Sequence, residues 1–335
     1  MDAIVLVGGL GTRLRPLTET RHKSLVPVCN RPAIEYLFDW IEGSGFERVI
    51  LALGRQNEDL ADAYQHGRPG KLQMQIVEEH ERLESGGAIR NAVREAGIEG
   101  RFAVLNGDVF VDFDFKEALG AHVARSADLT LALCPVAEPS SYGVAVLDNT
   151  GLVTGFVEKP PMGTAPSNLV NAGVWIFEAG LVDEIPPGPV RVEETLFPSL
   201  VARRRTVLGH VFEGLWADIG TPERYLELDT ALAIRAGGTV LATGVETGEG
   251  TILRESSVGP GCQVGAGALI TGSILWERVR VGNDAIVNRS VLADGVQVGE
   301  GAHLDGVVAG SGSVIAAGAV APPGTRIECG GTYER

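Results

Sequence analysis

Ala3-Ile-Val-Leu-Val7 leads directly into Gly8-Gly-Leu-Gly-Thr-Arg-Leu-Arg-Pro-Leu-Thr18. The first stretch is an aliphatic run of strand length, and the glycines of the second let backbone N–H groups approach phosphate oxygens closely. Thr12 and Arg13 add a hydroxyl and a guanidinium donor. A dinucleotide-binding fingerprint needs a third glycine where Leu14 stands, and a Walker A loop needs Gly-Lys-Ser/Thr. The pattern therefore predicts a strand followed by a phosphate-binding loop of another kind.

Beyond this loop, short apolar runs alternate with amphipathic stretches. This alternation predicts an α/β fold with a Rossmann-like, mainly parallel sheet and helices on both faces. Ligands of such sheets bind beyond the carboxyl ends of the strands, so the residues just after Val7 and Leu105 are candidates. We predict strands at Ala3–Val7, Arg48–Leu53, Gln73–Val77, Phe102–Leu105 and Leu129–Cys134. We predict helices at Pro32–Gly43, Asn57–Tyr64, Gly87–Ala96, Lys116–Ala124 and Thr221–Ala236.

Glycine marks a change in the character of the chain. Of its 45 glycines, 21 lie from Gly237 onward. A chain of 335 residues also exceeds the usual size of one hydrophobic core. We therefore predict two domains, residues 1–236 and residues 245–330.

The glycine-rich part repeats. An aliphatic residue recurs six positions on within each repeat, which is typical of a β-helix that stacks short strands and turns at tight corners. The pairs Ile274-Leu275, Val291-Leu292 and Val307-Val308 fall in the same register. The repeats begin at Val264, Val281, Val298 and Val314, spaced by 17, 17 and 16 residues.

Composition excludes several classes of partner. A net charge of −15 argues against nucleic acid, which requires a basic face. No apolar run reaches the roughly 18 residues of a membrane span, and no signal peptide is evident. The four cysteines are scattered without metal-binding spacing, which favours a cytoplasmic protein without structural zinc. We expect a homo-oligomer, because the β-helix shows no catalytic set of its own and stacked coils expose ends that must be paired or capped.

Residues 8–28, which end in Lys23-Ser-Leu-Val-Pro-Val28, resemble the signature of the sugar-1-phosphate nucleotidyltransferases. The resemblance covers essentially the whole chain, and five further motifs follow this signature in the order of that family. It also implies a left-handed β-helix at the C-terminus, which the mannose-1-phosphate guanylyltransferases share. The further motifs are Leu105-Asn-Gly-Asp108, Tyr142-Gly-Val144, Phe156-Val-Glu-Lys-Pro160, Asn171-Ala-Gly-Val174 and Trp216-Ala-Asp-Ile-Gly220.

The resemblance implies a role for each matching position. The substrates would be a nucleoside triphosphate and a sugar 1-phosphate, with Arg13 and Lys23 as the catalytic cations and Asp108 and Asp218 holding Mg²⁺. The implied nucleotide contacts are Leu6, Gly8, Gly9, Gly11, Thr12, Arg13, Lys23, Glu84 and Gly107. The implied sugar-phosphate contacts are Gly143, Glu158, Lys159 and Asn171.

Several functions remain open at this point. The appended β-helix favours a mannose-1-phosphate guanylyltransferase over a glucose-1-phosphate thymidylyl- or uridylyltransferase. A non-catalytic regulatory relative is a weaker alternative, because the charged site residues are all present. A β-helix acyltransferase is weaker still, because His303 is the only histidine of the repeats.

Glu84 is the main departure from the family pattern. Many relatives have glycine there, and a glutamate resembles the branch that uridylylates N-acetylmuramic acid 1-phosphate. A carboxylate at this point could accept hydrogen bonds from guanine N1–H and its 2-amino group, which uracil and thymine cannot offer. It could equally face solvent or the ribose. The identity of the base therefore depends on where the side chain of Glu84 points.

Overall fold

The structure is a computed structural model, and it describes residues 1–54 and 57–335. The chain folds as two compact units. The first unit contains Met1–Gly9 and Tyr36–Trp216, and the second contains Leu10–Glu35 and Ala217–Arg335. The segment that follows the first strand therefore clusters with the C-terminal part of the chain. The six helices of the described residues are α1 (Ala33–Gly43), α2 (Glu58–Tyr64), α3 (Glu84–Glu95), α4 (Phe115–Ala124), α5 (Leu196–Ala202) and α6 (Pro222–Arg235).

A nine-stranded sheet dominates the first unit. Short strands elsewhere in this stretch include an antiparallel pair, β2 with β3, in the second unit. The strands up to residue 218 are β1 (Asp2–Val7), β2 (Pro27–Val28), β3 (Arg31–Pro32), β4 (Arg48–Leu53), β5 (Gln73–Glu78), β6 (Arg101–Asn106), β7 (Val109–Val111), β8 (Leu129–Pro135), β9 (Gly143–Leu147), β10 (Val153–Glu158), β11 (Leu169–Glu178), β12 (Val207–Val211) and β13 (Trp216–Asp218).

The sheet is mixed. Strands β6, β1, β4 and β5 are neighbours and run parallel, as their alternation with helices predicts. The antiparallel pairs all involve β11, which lies between β6 and β8, or the pair β9 and β10. Leu6 of β1 is in register with Asn106 of β6, so the carboxyl ends of these two strands lie side by side. The residues that follow them share one edge of the sheet.

Most predicted elements match the observed ones within two residues, and α3 is the exception. It begins at Glu84, three residues before the predicted start at Gly87. Glu84 has φ +57°, a left-handed value that glycine adopts without cost and other residues adopt at about 1–2 kcal/mol. The sequence hides this helix start because Ser85, Gly86 and Gly87, which directly follow Glu84, are weak helix formers.

The second unit contains a parallel β-helix built of three sheets. A hydrophobic core of small aliphatic side chains fills its interior. The first sheet contains β14 (Val240–Leu241), β17 (Ser257–Val258), β20 (Ile274–Leu275), β23 (Val291–Leu292), β26 (Val308–Ala309) and β29 (Arg326–Ile327). The second contains β15 (Glu246–Thr247), β18 (Gln263–Val264), β21 (Arg280–Val281), β24 (Gln297–Val298), β27 (Val314–Ile315) and β30 (Thr332–Tyr333). The third contains β16 (Ile252–Arg254), β19 (Leu269–Thr271), β22 (Ile286–Asn288), β25 (His303–Asp305) and β28 (Val320–Ala321).

The register of the fourth repeat differs from the predicted one by a single residue. Val298 pairs with Ile315 rather than with Val314, because Ile315 is the buried member and Val314 is exposed. Likewise Val291 pairs with Val308, not with Val307. Successive coils therefore keep a 17-residue spacing through Ile315, so that inward-facing residues stay stacked.

The predicted fold class is confirmed as a mixed α/β sheet with helices, followed by parallel sheets that form a β-helix of hexapeptide repeats. No helix between residues 1 and 54 or between 57 and 335 combines the length and apolar character needed to cross a membrane.

Candidate active site

The carboxyl ends of β1 and β6 approach each other closely in the first unit. The backbone N–H of Gly107 donates to the carbonyl of Leu6 at 2.9 Å. A Cβ on Gly107 would lie 2.2 Å from Cγ1 of Val7, so only glycine fits this position. Asp108 follows at once and is half-buried in the turn before β7. The structure thus brings Leu6, Gly107 and Asp108 together at the predicted edge.

Gly8 lies beside a polar pocket in the same unit. Cα of Gly8 would lie 3.0 Å from a Cβ on Gly54, which requires both residues to be small. Across this approach, Oε1 of Glu79 lies 3.8 Å from a Cβ built on Gly8. The pocket has a volume of about 400 Å³ and is lined by Leu53, Gly54, Asn57, Glu58, Ala61, Glu78, Glu79 and His80.

Glu79 is a candidate that the sequence analysis missed. It is 6% exposed, and its Oε2 accepts the backbone N–H of Leu83 at 3.1 Å. Burial raises the pKa of Glu79. The sequence did contain a signal for this candidate, namely its position. Glu79 directly follows β5, a parallel strand of the same sheet as β1. The rule that ligands lie beyond the carboxyl ends of strands applies to it as well.

The carboxylate of Glu84 is engaged in two ion pairs. Nε of Arg82 lies 2.9 Å from its Oε1, and Nε of Arg191 lies 3.1 Å from its Oε2. Both partners are well exposed. A hydrogen bond from a base to Glu84 would therefore compete with an arginine on either oxygen.

The predicted sugar-phosphate residues lie on neighbouring antiparallel strands. Glu158 at the end of β10 pairs with Gly143 at the start of β9, and a Cβ on Gly143 would lie 2.7 Å from Oε2 of Glu158. Nζ of Lys159 is 3.2 Å from Oε1 of Glu158, and the lysine side chain is 54% exposed. Asn171 lies on β11, where its Oδ1 accepts the indole N–H of Trp175 at 2.6 Å. The structure brings Gly143, Glu158 and Lys159 together.

A second carboxylate lies near this group. Oε2 of Glu193 accepts the hydroxyl of Ser85 at 2.5 Å. Burial raises the pKa of Glu193, and the negative charge of Glu158 adds to the rise. No motif pointed to Glu193, because its closeness to Glu158 arises from the packing of a loop far away in the sequence. It is a further candidate for contacts with sugar hydroxyls.

In the second unit, the glycine-rich segment folds back on itself. Gly11 has φ +60°, and a Cβ there would lie 3.0 Å from Cγ2 of Thr18 and 3.1 Å from Cβ of Lys23. The hydroxyl of Thr18 donates to the carbonyl of Gly11 at 2.8 Å. Thr12 and Arg13 stay exposed on a short 3₁₀ helix, Thr12–Leu14. Gly11 is therefore the point at which the loop turns and brings Lys23 close.

Asp218 lies among arginines in the same unit. Nη1 of Arg224 donates to both of its carboxylate oxygens at 3.0 Å. A Cβ on Gly220 would lie 2.3 Å from Oδ2 of Asp218 and 3.2 Å from Nη2 of Arg13. Arg13, Asp218 and Arg224 therefore converge around Gly220, and Arg224 is a candidate that the sequence analysis missed.

The two predicted metal ligands belong to different units, Asp108 to the first and Asp218 to the second. Within residues 1–54 and 57–335, no group of three or more His, Cys, Asp or Glu side chains could hold a metal ion.

Comparisons with known proteins agree with these features. Residues 2–234 match the family model described as nucleotidyl transferase, and residues 241–322 match the GlmU-like C-terminal hexapeptide model. The mannose-1-phosphate guanylyltransferase of Mycobacterium tuberculosis is 33% identical over 76% of this chain and 78% of its own length. The catalytic subunit beta of the Xenopus tropicalis mannose-1-phosphate guanylyltransferase is 36% identical over 68% of this chain, and the match spans 63% of that protein.

Solved structures give the same result. The crystal structure of HddC from Yersinia pseudotuberculosis has a TM-score of 0.60 and 28% identity, and the match covers 69% of this chain and 99% of that one. The complex of HddC with GMP-PN has a TM-score of 0.60 and 26% identity over the same shares. The predicted enzyme class is thereby confirmed, and the chain belongs to the nucleotidyl transferase family.

Proposed function

We propose that this enzyme joins GTP and mannose 1-phosphate into GDP-mannose and releases pyrophosphate. The observation that carries the proposal is the loop around Gly11, which brings Lys23 close and leaves Arg13 exposed beside Asp218. The names of the Mycobacterium and Xenopus relatives support mannose 1-phosphate and a guanine nucleotide, and the HddC complex also contains a guanine nucleotide analogue.

The reaction requires charge neutralisation more than covalent chemistry. A phosphate oxygen of the sugar 1-phosphate attacks the α-phosphorus, a new P–O bond forms, and the bond to the bridging oxygen breaks. Pyrophosphate leaves with that electron pair. Arg13 and Lys23 lower the barrier by stabilising negative charge as it shifts toward the leaving group.

The nucleotide would lie along the edge formed by β1 and β6. Backbone groups of Leu6, Gly8, Gly9, Gly11 and Gly107 would contact it, together with the hydroxyl of Thr12. Support for this edge comes from Gly107, where a Cβ would lie 2.2 Å from Cγ1 of Val7, and from the close approach of Gly54 to Gly8. Gly143, Glu158, Lys159 and Asn171 would bind the sugar phosphate, with Lys159 as its cation.

The carboxylates of Asp108 and Asp218 fit Mg²⁺. This ion takes one or two carboxylates and fills its other positions with water and substrate phosphates. When bound, Mg²⁺ supplies positive charge at the phosphate oxygens.

We assign recognition of the nucleotide base to Glu79 rather than to Glu84. The Oε1 of Glu79 lies beside Gly8, and Glu79 lines a pocket, whereas both oxygens of Glu84 already face arginines. A carboxylate can accept two hydrogen bonds from the N1–H and 2-amino groups of guanine. Glu84 then serves to fix the start of α3 against the loop that contains Arg191.

Assembly and location are also part of the proposal. The outer face of the third β-helix sheet exposes Ile252 and Val320 by 45% and 59%, and such an apolar face supports a homo-oligomer. The four free thiols support a cytoplasmic location. Domain limits at 1–236 and 245–330 are supported by the two family matches.

The decisive experiment is a panel of four nucleoside triphosphates against several sugar 1-phosphates, with pyrophosphate release as the readout. We expect GTP with mannose 1-phosphate to give the highest kcat/KM. A preference for dTTP or UTP with glucose 1-phosphate would replace the proposal with a thymidylyl- or uridylyltransferase.

A further inference from the structure

The phosphate-binding segment lies along one corner of the β-helix. Residues 10–35 and the β-helix belong to the same compact unit. Asp294, Ser311 and Cys329 occupy equivalent positions in three successive coils, each two residues beyond a strand of the first β-helix sheet. All three contact the segment that contains the predicted catalytic cations.

The contacts follow the chain in order. Nη2 of Arg21 lies 3.0 Å from Oδ2 of Asp294. The hydroxyls of Thr20 and Ser311 are 3.1 Å apart, and one coil further Sγ of Cys329 donates to the carbonyl of Pro16 at 3.7 Å. Read from residue 21 back to residue 16, the segment therefore contacts successive coils, from the coil of Asp294 to the coil of Cys329.

The C-terminal end of the segment, around Asn30, is bound to the first coils of the β-helix. Nδ2 of Asn30 donates to the carbonyls of Val240 and Val258, at 3.3 and 3.1 Å. The guanidinium of Arg21 also stacks over the ring of Trp276 at 4.9 Å. The loop is thus fixed to the β-helix between residues 16 and 30.

Arg326 binds the backbone at the other end of the segment, which contains Arg13. Its Nη1 donates to the carbonyl of Arg15 at 2.8 Å and to the carbonyl of Arg13 at 3.2 Å. A guanidinium is rigid and always charged, so it can hold two carbonyls in a fixed relation. One of these carbonyls lies within the 3₁₀ helix Thr12–Leu14, which carries the side chain of Arg13, and the other lies at its C-terminal end.

We infer that the β-helix is the scaffold that positions the phosphate-binding loop, and that Arg326 is a positioning residue acting through the backbone of Arg13. The inference rests on the proposed role of Arg13 in transfer. It gives the β-helix a task within each chain that is separate from assembly.

The test compares Arg326→Ala and Arg326→Lys with Arg280→Ala in the full-length chain. Arg280 is an exposed arginine of the same β-helix, and its side chain makes no hydrogen bond or ion pair with the described residues. We expect Arg326→Ala to lower kcat by about tenfold to a hundredfold, the scale of a small misplacement of a catalytic group. The KM for the sugar phosphate should stay within twofold. Lysine should restore part of the rate, and Arg280→Ala should match the wild type.

A second readout does not depend on activity. Hydrogen exchange of the amides in residues 11–26 should be faster in Arg326→Ala than in Arg280→Ala, and Asp294→Asn should show a smaller increase. Equal rates and equal exchange in Arg326→Ala and Arg280→Ala would overturn the inference. Each assay uses the substrate pair that the wild type turns over best. A wild type that turns over none would contradict the proposed function, while the exchange data would still decide the positioning role.

Discussion

Both oxygens of the Asp218 carboxylate accept hydrogen bonds from Nη1 of Arg224, each at 3.0 Å. Nη2 of Arg13 lies close to the same carboxylate around Gly220. A carboxylate that accepts hydrogen bonds on both oxygens from one guanidinium keeps a fixed orientation. The Mg²⁺ contact that we propose for Asp218 would therefore need no rearrangement of its side chain.

The acids Asp108 and Asp218 are the first targets. We expect Asp108→Asn and Asp218→Asn each to lower kcat by about a hundredfold or more, as happens when a group that stabilises transition-state charge is lost. Steady-state rates at saturating Mg²⁺ measure this. Asp284→Asn, at an exposed turn of the β-helix, is the control and should retain full activity. Normal turnover in either target variant would remove that residue from the site.

Arg13 and Lys23 should differ in their kinetic effects. Arg13→Ala should lower kcat more than it raises the KM for the nucleotide, because its charge is needed most in the transition state. Lys23→Ala should also weaken nucleotide binding, which calorimetry can measure. Unchanged affinity and rate in both variants would refute the assignment of the loop.

Substitutions of Glu79 and Glu84 should differ in their effect on the selection of the nucleotide base. We expect Glu79→Gln to reduce GTP turnover by about tenfold or more while any weak UTP or dTTP turnover changes little, because a charged hydrogen bond is worth about 1.5–3 kcal/mol. Glu84→Gln should affect all bases equally, since its partners are Arg82 and Arg191. Kinetics with three nucleotides measure both variants. The reverse pattern would return base recognition to Glu84.

Asp229 should make stability depend on pH. Its carboxylate is 1% exposed and accepts the Ser257 hydroxyl at 2.6 Å and the Cys29 N–H at 3.0 Å. Burial raises its pKa to about 6, from 3.8 for an ordinary aspartate. The folded state therefore binds the proton more tightly, and this stabilisation is present below about pH 4 and is lost as the pH rises through 6.

The variant Asp229→Asn isolates that effect, because it stays neutral. Relative to the wild type, it should gain about 2.4 kcal/mol of unfolding free energy between pH 4 and pH 7.5. Calorimetric Tm values of both proteins across this range give the comparison. A constant difference in Tm would show that Asp229 titrates normally.

Two glycines should respond to alanine in opposite ways. Gly107→Ala places a Cβ 2.2 Å from Cγ1 of Val7 and should destabilise the protein by about 1–3 kcal/mol. Gly120 lies within α4 with no atom within 4 Å of an added Cβ, so Gly120→Ala should stabilise by about 0.5–1 kcal/mol. Thermal unfolding of the two variants measures both signs. Equal shifts would mean that the approach of β1 and β6 is looser than described.

The sequence alone determined the local elements of this protein. Short apolar runs located β1, β4, β5 and β6, because strands inside a parallel sheet are buried along most of their length. The helical period of apolar residues located most helices within two residues, because burial of one face imposes that period along the chain itself. The 17-residue repeat determined the β-helix for the same reason. The family resemblance supplied the candidate residues, but it could not say which side chains meet.

Only the tertiary structure decided which side chains contact each other. The pairing of Glu84 with Arg191 joins residues 107 apart in sequence, and the contact of Arg326 with the Arg13 carbonyl joins residues 313 apart. No local pattern encodes such contacts, because they depend on where the chain returns after many turns. The exact repeat register also required the structure, since Val314 and Ile315 are equally apolar and only packing decides which one is buried.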